Sequence, residues 1–313
     1  MQKLRYGLLL LAVMRCWDCA AELDTTYVER YPHRLQVTAF TARNFLEMVE
    51  FDKTYTPNNP ISIGLGFAVR NSMIGFYYGF GIIPIPYGEG GQTQTIDLQY
   101  HHYGQWIVVD LAFQQYKGFF FDDAFYSELL VRRYSAAATY LFNEDKFSAK
   151  AAFEQTERQR KSAGSFMLGA GVNYSEIKQG QNILEEWSGN IHNLQIGANV
   201  GYGYSWVINR QWLMSGMITV GGAVGNEVNQ LSIPKIHLYP AASARLAVSY
   251  NRPSWSLAIS ALYNFNWLTS DDQLFTRPNV RIADNQLALR SGYVQLSFVK
   301  RFRGLKIWKT SQW

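Results

Sequence analysis

The densest group of side chains able to do chemistry is the run Glu154-Gln155-Thr156-Glu157-Arg158-Gln159-Arg160-Lys161. Glu154, Glu157, Arg158, Arg160 and Lys161 together could select a charged solute at a lumen or rim, or form a polar plug folded into a lumen. The plain alternative is a solvated turn whose charges pair between neighbouring strands. Ser162-Ala163-Gly164-Ser165 follows with the small residues that a tight bend needs. A second group is Asp97, Asp110 and Arg245, each flanked by apolar neighbours on strand-like stretches. A charge facing lipid at mid-depth costs roughly 2–4 kcal/mol for Arg or Lys and less for Asp. All three are therefore expected to face a wet lumen.

Metal and nucleophile chemistry have little to work with. His101 and His102 are adjacent, and neighbours on a strand point to opposite faces, so the pair cannot hold one lumenal ion. His33, His192 and His237 are isolated, with no His-Glu-x-x-His spacing. No Gly-x-Ser-x-Gly is present. No catalytic, cofactor-binding or metal-ligating residue is assigned, and no cofactor is expected.

These residues must be positioned by strands. In Leu194–Ile208 the even positions are Leu194, Ile196, Ala198, Val200, Tyr202, Tyr204, Trp206 and Ile208, while Gln195, Gly197, Asn199, Gly201, Gly203 and Ser205 alternate with them. A strand puts successive side chains on opposite faces, so this is a two-faced strand, apolar outside and small or polar inside. Its length and aromatic end suit a strand crossing a bilayer. Tyr202, Tyr204 and Trp206 read as interfacial anchors.

The same alternation recurs along the chain. Leu35 to Phe51 reads as one bent strand or two. Ile61–Val69 and Ile74–Ile82 form a hairpin about Arg70-Asn71, and Ile96–His101 and Ile107–Gln114 form another about Gly104-Gln105. Gly118 to Leu130 reads as a long loop. Tyr134–Phe142, Phe147–Phe153 and Phe166–Tyr174 follow, then Leu194–Ile208, Trp212–Val220, Arg245–Tyr250, Trp255–Phe265 and Val294–Phe302. That is about thirteen segments, where a single-chain barrel should have an even number. The expectation is an all-β, single antiparallel transmembrane barrel of the outer-membrane type, with about 12 strands, or 14 as the alternative, over residues 34–303. Residues 22–33 would be a periplasmic lead-in and 304–313 a C-terminal tail.

Composition agrees. Aromatics make up 15% of 313 residues, with 25 Gly, and the mean hydropathy is −0.16. After the N-terminus no run is long and apolar enough for a membrane helix. Residues 1–21 read as a cleaved leader, with Lys3 and Arg5, a short apolar core, and small residues at Cys19-Ala20-Ala21. Both cysteines lie there, so the remainder has no thiol chemistry. Removing Lys3, Arg5, Arg15 and Asp18 takes the formal charge from +5 to +3, too small and scattered to suggest nucleic acid.

Three stretches carry a resemblance: Asp24-Thr-Thr-Tyr-Val-Glu-Arg-Tyr-Pro32, Tyr55-Thr-Pro-Asn-Asn-Pro-Ile-Ser-Ile-Gly-Leu-Gly-Phe67 and Phe147-Ser-Ala-Lys-Ala-Ala-Phe-Glu-Gln-Thr-Glu-Arg-Gln-Arg-Lys-Ser-Ala-Gly-Ser165. Over roughly Asp24 to Phe302 the chain resembles the domain of unknown function 4421 family of Bacteroides-type envelopes. The resemblance implies an outer-membrane barrel and supplies no activity. The expected role is a small-solute pore, a binding barrel or a structural envelope protein, monomeric and surrounded by outer-membrane lipid. The alternative is an outer-membrane lipid hydrolase or acyltransferase, which would need a Ser or His beside a carboxylate at the rim.

Overall fold

Strand alternation organises the whole molecule. The computed structural model describes residues 23–32, 35–50, 53–58, 61–69, 72–78, 91–180, 184, 189–226, 237–268 and 287–302. The described strands are β1 (Val28–Arg30), β2 (Leu35–Glu50), β3 (Lys53–Tyr55), β4 (Ser62–Val69), β5 (Ser72–Tyr78), β6 (Gln94–Tyr103), β7 (Ile107–Phe121) and β8 (Ala124–Leu141). After them come β9 (Glu157–Gln159), β10 (Ala163–Lys178), β11 (Ile191–Val207), β12 (Trp212–Gly225), β13 (His237–Asn251), β14 (Trp255–Trp267) and β15 (Leu287–Phe302).

Twelve strands follow one another in a single path, β5-β4-β2-β15-β14-β13-β12-β11-β10-β8-β7-β6. Every ladder in it is antiparallel, as between β10 and β11 (Leu168↔Val200) or β14 and β15 (Ile259↔Leu296). β3 pairs with β2 off the path, and β1 pairs only with β9. The two ends of the path, β5 and β6, lie against each other, which brings the sheet round into a barrel. An even number of antiparallel strands returns the chain to its starting end, so Leu35 pairs with Phe302. Short connections at 104–106, 208–211 and 252–254 fall at that same end.

The barrel is inside out relative to a soluble core. Leu65, Leu98, Leu168, Ile196, Val200, Ile218, Leu246, Ile259 and Leu296 are exposed on its outer face, while Gln195, Ser205, Ser215, Ser249, Ser256 and Ser297 are buried within. An apolar outer belt on the described strands around an interior that carries buried polar side chains is the arrangement of a transmembrane barrel. No described helix is long and apolar enough to cross a membrane.

One open reading is settled and two sequence expectations are corrected. Of the two alternatives, Leu35 to Glu50 is one strand, with Gln36, Thr38, Phe40, Ala42, Asn44, Leu46, Met48 and Glu50 all inward and buried. Gly118 to Leu130 is not a loop. β7 and β8 run on to a two-residue turn at Asp122-Asp123, with φ of 50° and 62°. Positive φ at both central residues matches the twist of a tight hairpin, and Asp tolerates it better than most residues. Finally, Phe147–Phe153 is not a strand. Residues 147–152 are buried without alternation, inside the barrel and not out to lipid, and residues Lys150–Glu154 wind into one wide helical turn. This was the odd thirteenth segment. The hairpin expected at Ile74–Ile82 is described only as far as Tyr78, and the leader, the tail and most long connections lie outside the described residues.

Candidate functional site: a plugged lumen

The lumen has three layers. At the short-turn end the chain between β8 and β10, residues 142–162, folds inward. Phe147 is fully buried among Tyr103, Leu141, Ala149, Ala163, Met167 and Met217. A Cβ on Gly203 would lie 3.0 Å from its ring, so the bare backbone of β11 is what gives the ring its seat. Phe153 stacks on Tyr103 with ring centroids 5.6 Å apart.

Polar contacts fix this plug. Gln36 of β2 donates through Nε2 to the Glu154 carbonyl at 2.8 Å. Arg301 of β15 donates through Nε to the Gln155 carbonyl at 3.0 Å and through Nη1 to the Arg252 carbonyl at 2.8 Å, and its Nη2 also reaches Gln155. Within the plug, Ser148 Oγ donates to Glu157 Oε2 at 2.6 Å, and the Gln159 amide ties Ser148 N, Lys146 O and Lys161 O together. β9 pairs with β1, whose Glu29 and Arg30 exchange ion pairs with Arg158 (3.5 Å) and Glu157 (3.4 Å). The N-terminal segment is thus strapped to the plug. Burial pushes the Glu154 carboxyl up to about 8 despite the nearby Lys150, so at neutral pH it is held largely as the acid. Its Oε1 has no hydrogen-bond partner among the described residues.

At the opposite end the inward positions are large and apolar. Leu46, Met48, Tyr116, Phe119, Leu129, Val131, Ile177, Ile191, Leu287 and Leu289 pack into one cluster with Tyr55, Leu184 and Leu268.

Between these layers lies a chamber of about 170 Å³. Small residues hollow it out: Ala112, Ala137, Gly171, Gly197, Ala223, Ala241 and Gly292 all face it. Two arginines reach into it. Arg245 Nη2 donates to Asp110 Oδ2 at 2.6 Å, and its Nη1 donates to the Tyr103 hydroxyl at 2.8 Å. His101 Nδ1 lies 2.6 Å from Asp110 Oδ1, and its Nε2 lies 3.2 Å from Gln99 Oε1. Arg133 Nη1 donates to Ser291 Oγ at 2.5 Å, spanning β8 to β15, and Nη2 donates to Asn173 Oδ1 at 3.1 Å. Because Tyr103 both stacks on Phe153 and accepts from Arg245, plug and chamber share a wall.

The family model for the domain of unknown function 4421 (DUF4421) matches residues 22–283. The chain belongs to this family. No curated protein matches it. Among solved structures it is similar to the toluene transporter TodX of P. putida, at 7% identity and TM-score 0.27, over 89% of this chain and 91% of that one. It is also similar to a loop-deletion mutant of the Vibrio cholerae outer membrane protein OmpT (8%, TM-score 0.27, 85% and 99%) and to the porin NanC (10%, TM-score 0.25, 86% and 99%). At such scores these likenesses decide nothing here, and the fold of this DUF4421 barrel rests on its own strand ladders.

The residues singled out from sequence divide sharply. Glu154 and Glu157 are buried in the plug, Arg158 is half-buried, and Arg160 and Lys161 are exposed at the rim. Asp110 and Arg245 meet in the chamber wall. Asp97 does not join them: its carboxylate accepts from Tyr116 Oη (2.7 Å), Gln99 Nε2 (2.8 Å) and Gln114 Nε2 (3.2 Å). Arg133 was missed, although it had the same signature as Arg245, a charge on the inner phase of an apolar strand. Gln36 and Arg301 carried no signal, because their partners are backbone carbonyls of a segment distant in sequence. His101 has no hydroxyl nucleophile within hydrogen-bond distance among the described residues and faces the lumen, away from any lipid substrate. Tyr174 and His192 meet at 2.9 Å, with no carboxylate joined to either side chain among the described residues.

Proposed function

We propose that this DUF4421 protein is an outer-membrane barrel that takes small polar solutes into a central chamber and passes them only when the plug at residues 142–162 and the apolar cluster opposite it both give way. The observation that carries the reading is the layering: a chamber bearing arginine, histidine and amide side chains, flanked on one side by an in-folded segment and on the other by an apolar cluster. A barrel with a purely structural role would have no reason to hollow its middle with glycine and alanine while lining it with arginine, histidine and amides. An outer-membrane position is supported by the apolar belt and by the short connections at one end, which in such barrels face the periplasm. The plug would then be periplasmic.

The test has two parts. The folded protein should run as a heat-modifiable band and fractionate with outer membranes. In planar bilayers the intact protein should be silent, and a plug-less variant, with residues 142–162 replaced by a short turn and the apolar cluster thinned by Leu46→Ala and Met48→Ala, should give steady, salt-dependent steps. Silence of the plug-less variant, once shown to be folded, would defeat the reading of a gated passage.

A further inference from the structure

The chamber holds two guanidinium groups but neutralises only one. Arg245 is matched by Asp110 at 2.6 Å. Arg133 is buried, at 6% exposure, and both of its side-chain partners, Ser291 and Asn173, are uncharged. No carboxylate oxygen lies within 4.0 Å of it among the described residues, whereas the ion pairs that are formed include several at the rims. The nearest acidic influence is Asp97, whose oxygens are already taken by three donors. A guanidinium has five N–H groups in a planar fork, and the two bonds given leave the rest for something in the chamber. A buried cation without a counter-charge is expensive, so the site favours an anion that brings one.

We infer that the chamber is a binding site for a small oxyanion, anchored on Arg133. The inference rests on the solute-handling role proposed above and names the solute's chemistry. Asn199, Thr219 and Asn264 line the same space, and their amide N–H and hydroxyl groups can donate to an anion. Gly171 and Gly197 bring bare backbone to the wall; a Cβ on Gly171 would already meet the Ala136 carbonyl at 2.9 Å. The chamber of about 170 Å³ has room for a carboxylate or a phosphate-sized oxyanion on a short carbon skeleton. The planar fork of arginine reads two oxygens at once, which separates an oxyanion from a halide or a neutral polyol.

Calorimetric titration of the full chain, refolded in detergent, tests this without requiring passage. Acetate, inorganic phosphate and glycerol are the probes, at matched ionic strength. Acetate or phosphate should bind and glycerol should not, and the stronger of the two anions tells a carboxylate ligand from an inorganic one. Arg133→Gln should weaken anion binding by about tenfold or more, and Arg133→Lys should retain part of it, since a lysine keeps the charge without the fork. If Arg133→Gln fails to give the heat-modifiable folded form, Asn199→Leu, which fills the chamber and leaves the Arg133 bonds alone, must abolish binding. No heat with either anion, equal heats with glycerol, or unchanged affinity in folded Arg133→Gln would overturn the inference. Anion binding without conductance in the plug-less variant would leave this site standing and remove only the passage.

Discussion

Phe147→Ala should undock the plug while leaving the barrel intact. The ring is fully buried, against Met167, Met217 and Tyr103, in a socket shaped by Gly203. Truncating a buried Phe to Ala costs about 3–5 kcal/mol, less where neighbours can collapse into the gap. Met167 and Met217 are flexible fillers, so the low end, about 3 kcal/mol, is appropriate. That amount raises the undocked fraction on the order of a hundredfold. Both cysteines of the chain, Cys16 and Cys19, lie in the expected leader, so a single reporter is easily placed. Ala152, 1% exposed on the plug, becomes Ala152→Cys; Ser260, 8% exposed in the barrel wall, becomes the control Ser260→Cys. Thiol labelling of folded protein follows the equilibrium open fraction when opening is fast relative to reaction. Phe147→Ala should speed labelling at position 152 by the factor above and leave position 260 unchanged. An increase of only a few-fold at 152, or a parallel increase at 260, would refute a plug held chiefly by this ring.

Other perturbations probe the remaining layers. Val200 and Trp206 are equally exposed, at 57% and 58%, but Val200 lies mid-strand and Trp206 near the end of β11; Val200→Arg should cost about 2–4 kcal/mol in refolding into lipid and Trp206→Arg no more than about 1 kcal/mol, and equal costs would mean the belt is misplaced. Arg245→Met leaves Asp110 without its guanidinium and should destabilise by about 3 kcal/mol, much of it recovered by adding Asp110→Leu; a double variant as unstable as the single one would sink the pairing argument. Glu154 has its carboxyl raised from 4.5 to about 8, so the docked plug binds the proton more tightly than the undocked one. Its contribution to docking is therefore fully present below pH 4.5 and lost as the pH rises through about 8. Labelling at Ala152→Cys, normalised to Ser260→Cys, should accelerate across that window, and Glu154→Gln should flatten the response; a pH response that persists in Glu154→Gln would assign it elsewhere.

The outer face of this protein was legible from sequence and the inner face was not, for a physical reason. Lipid asks the same thing of every outward position, so Leu194, Ile196, Val200, Tyr202 and Trp206 repeat with period two and announce the strand. The lumen asks something different at each height. Leu46 and Met48 continue the inner phase of Gln36 and Thr38 on the same strand, yet one pair joins the apolar cluster and the other lies at the plug end. No periodicity distinguishes them. Phe147–Phe153 was misread because its apolar residues alternate with Ser148, Lys150 and Ala152, yet in the plug these are buried as well, so the alternation does not mark two faces. The charged run Glu154–Lys161 is visible in the sequence, but its division into buried acids and exposed bases depends on β1 and β9 pairing across more than a hundred residues.

The glycines of β11 show how these layers are encoded together. Gly197, Gly201 and Gly203 share the inner phase of one strand, and on sequence alone they fit a wide lumen or a merely narrow barrel. A Cβ on Gly203 would meet the Phe147 ring at 3.0 Å, while Gly197 lines the chamber. One admits a plug and the other leaves a void, although the two are the same residue six positions apart. The absence of a side chain therefore specifies neither an open pore nor a closed one; what fills the space is decided by the segment that arrives from elsewhere in the chain. A larger residue at Gly203 should expel the plug and open that end of the lumen, whereas one at Gly197 should fill the chamber and close it. Opposite outcomes from like substitutions on one face of one strand are what a layered lumen requires and what a uniform one forbids.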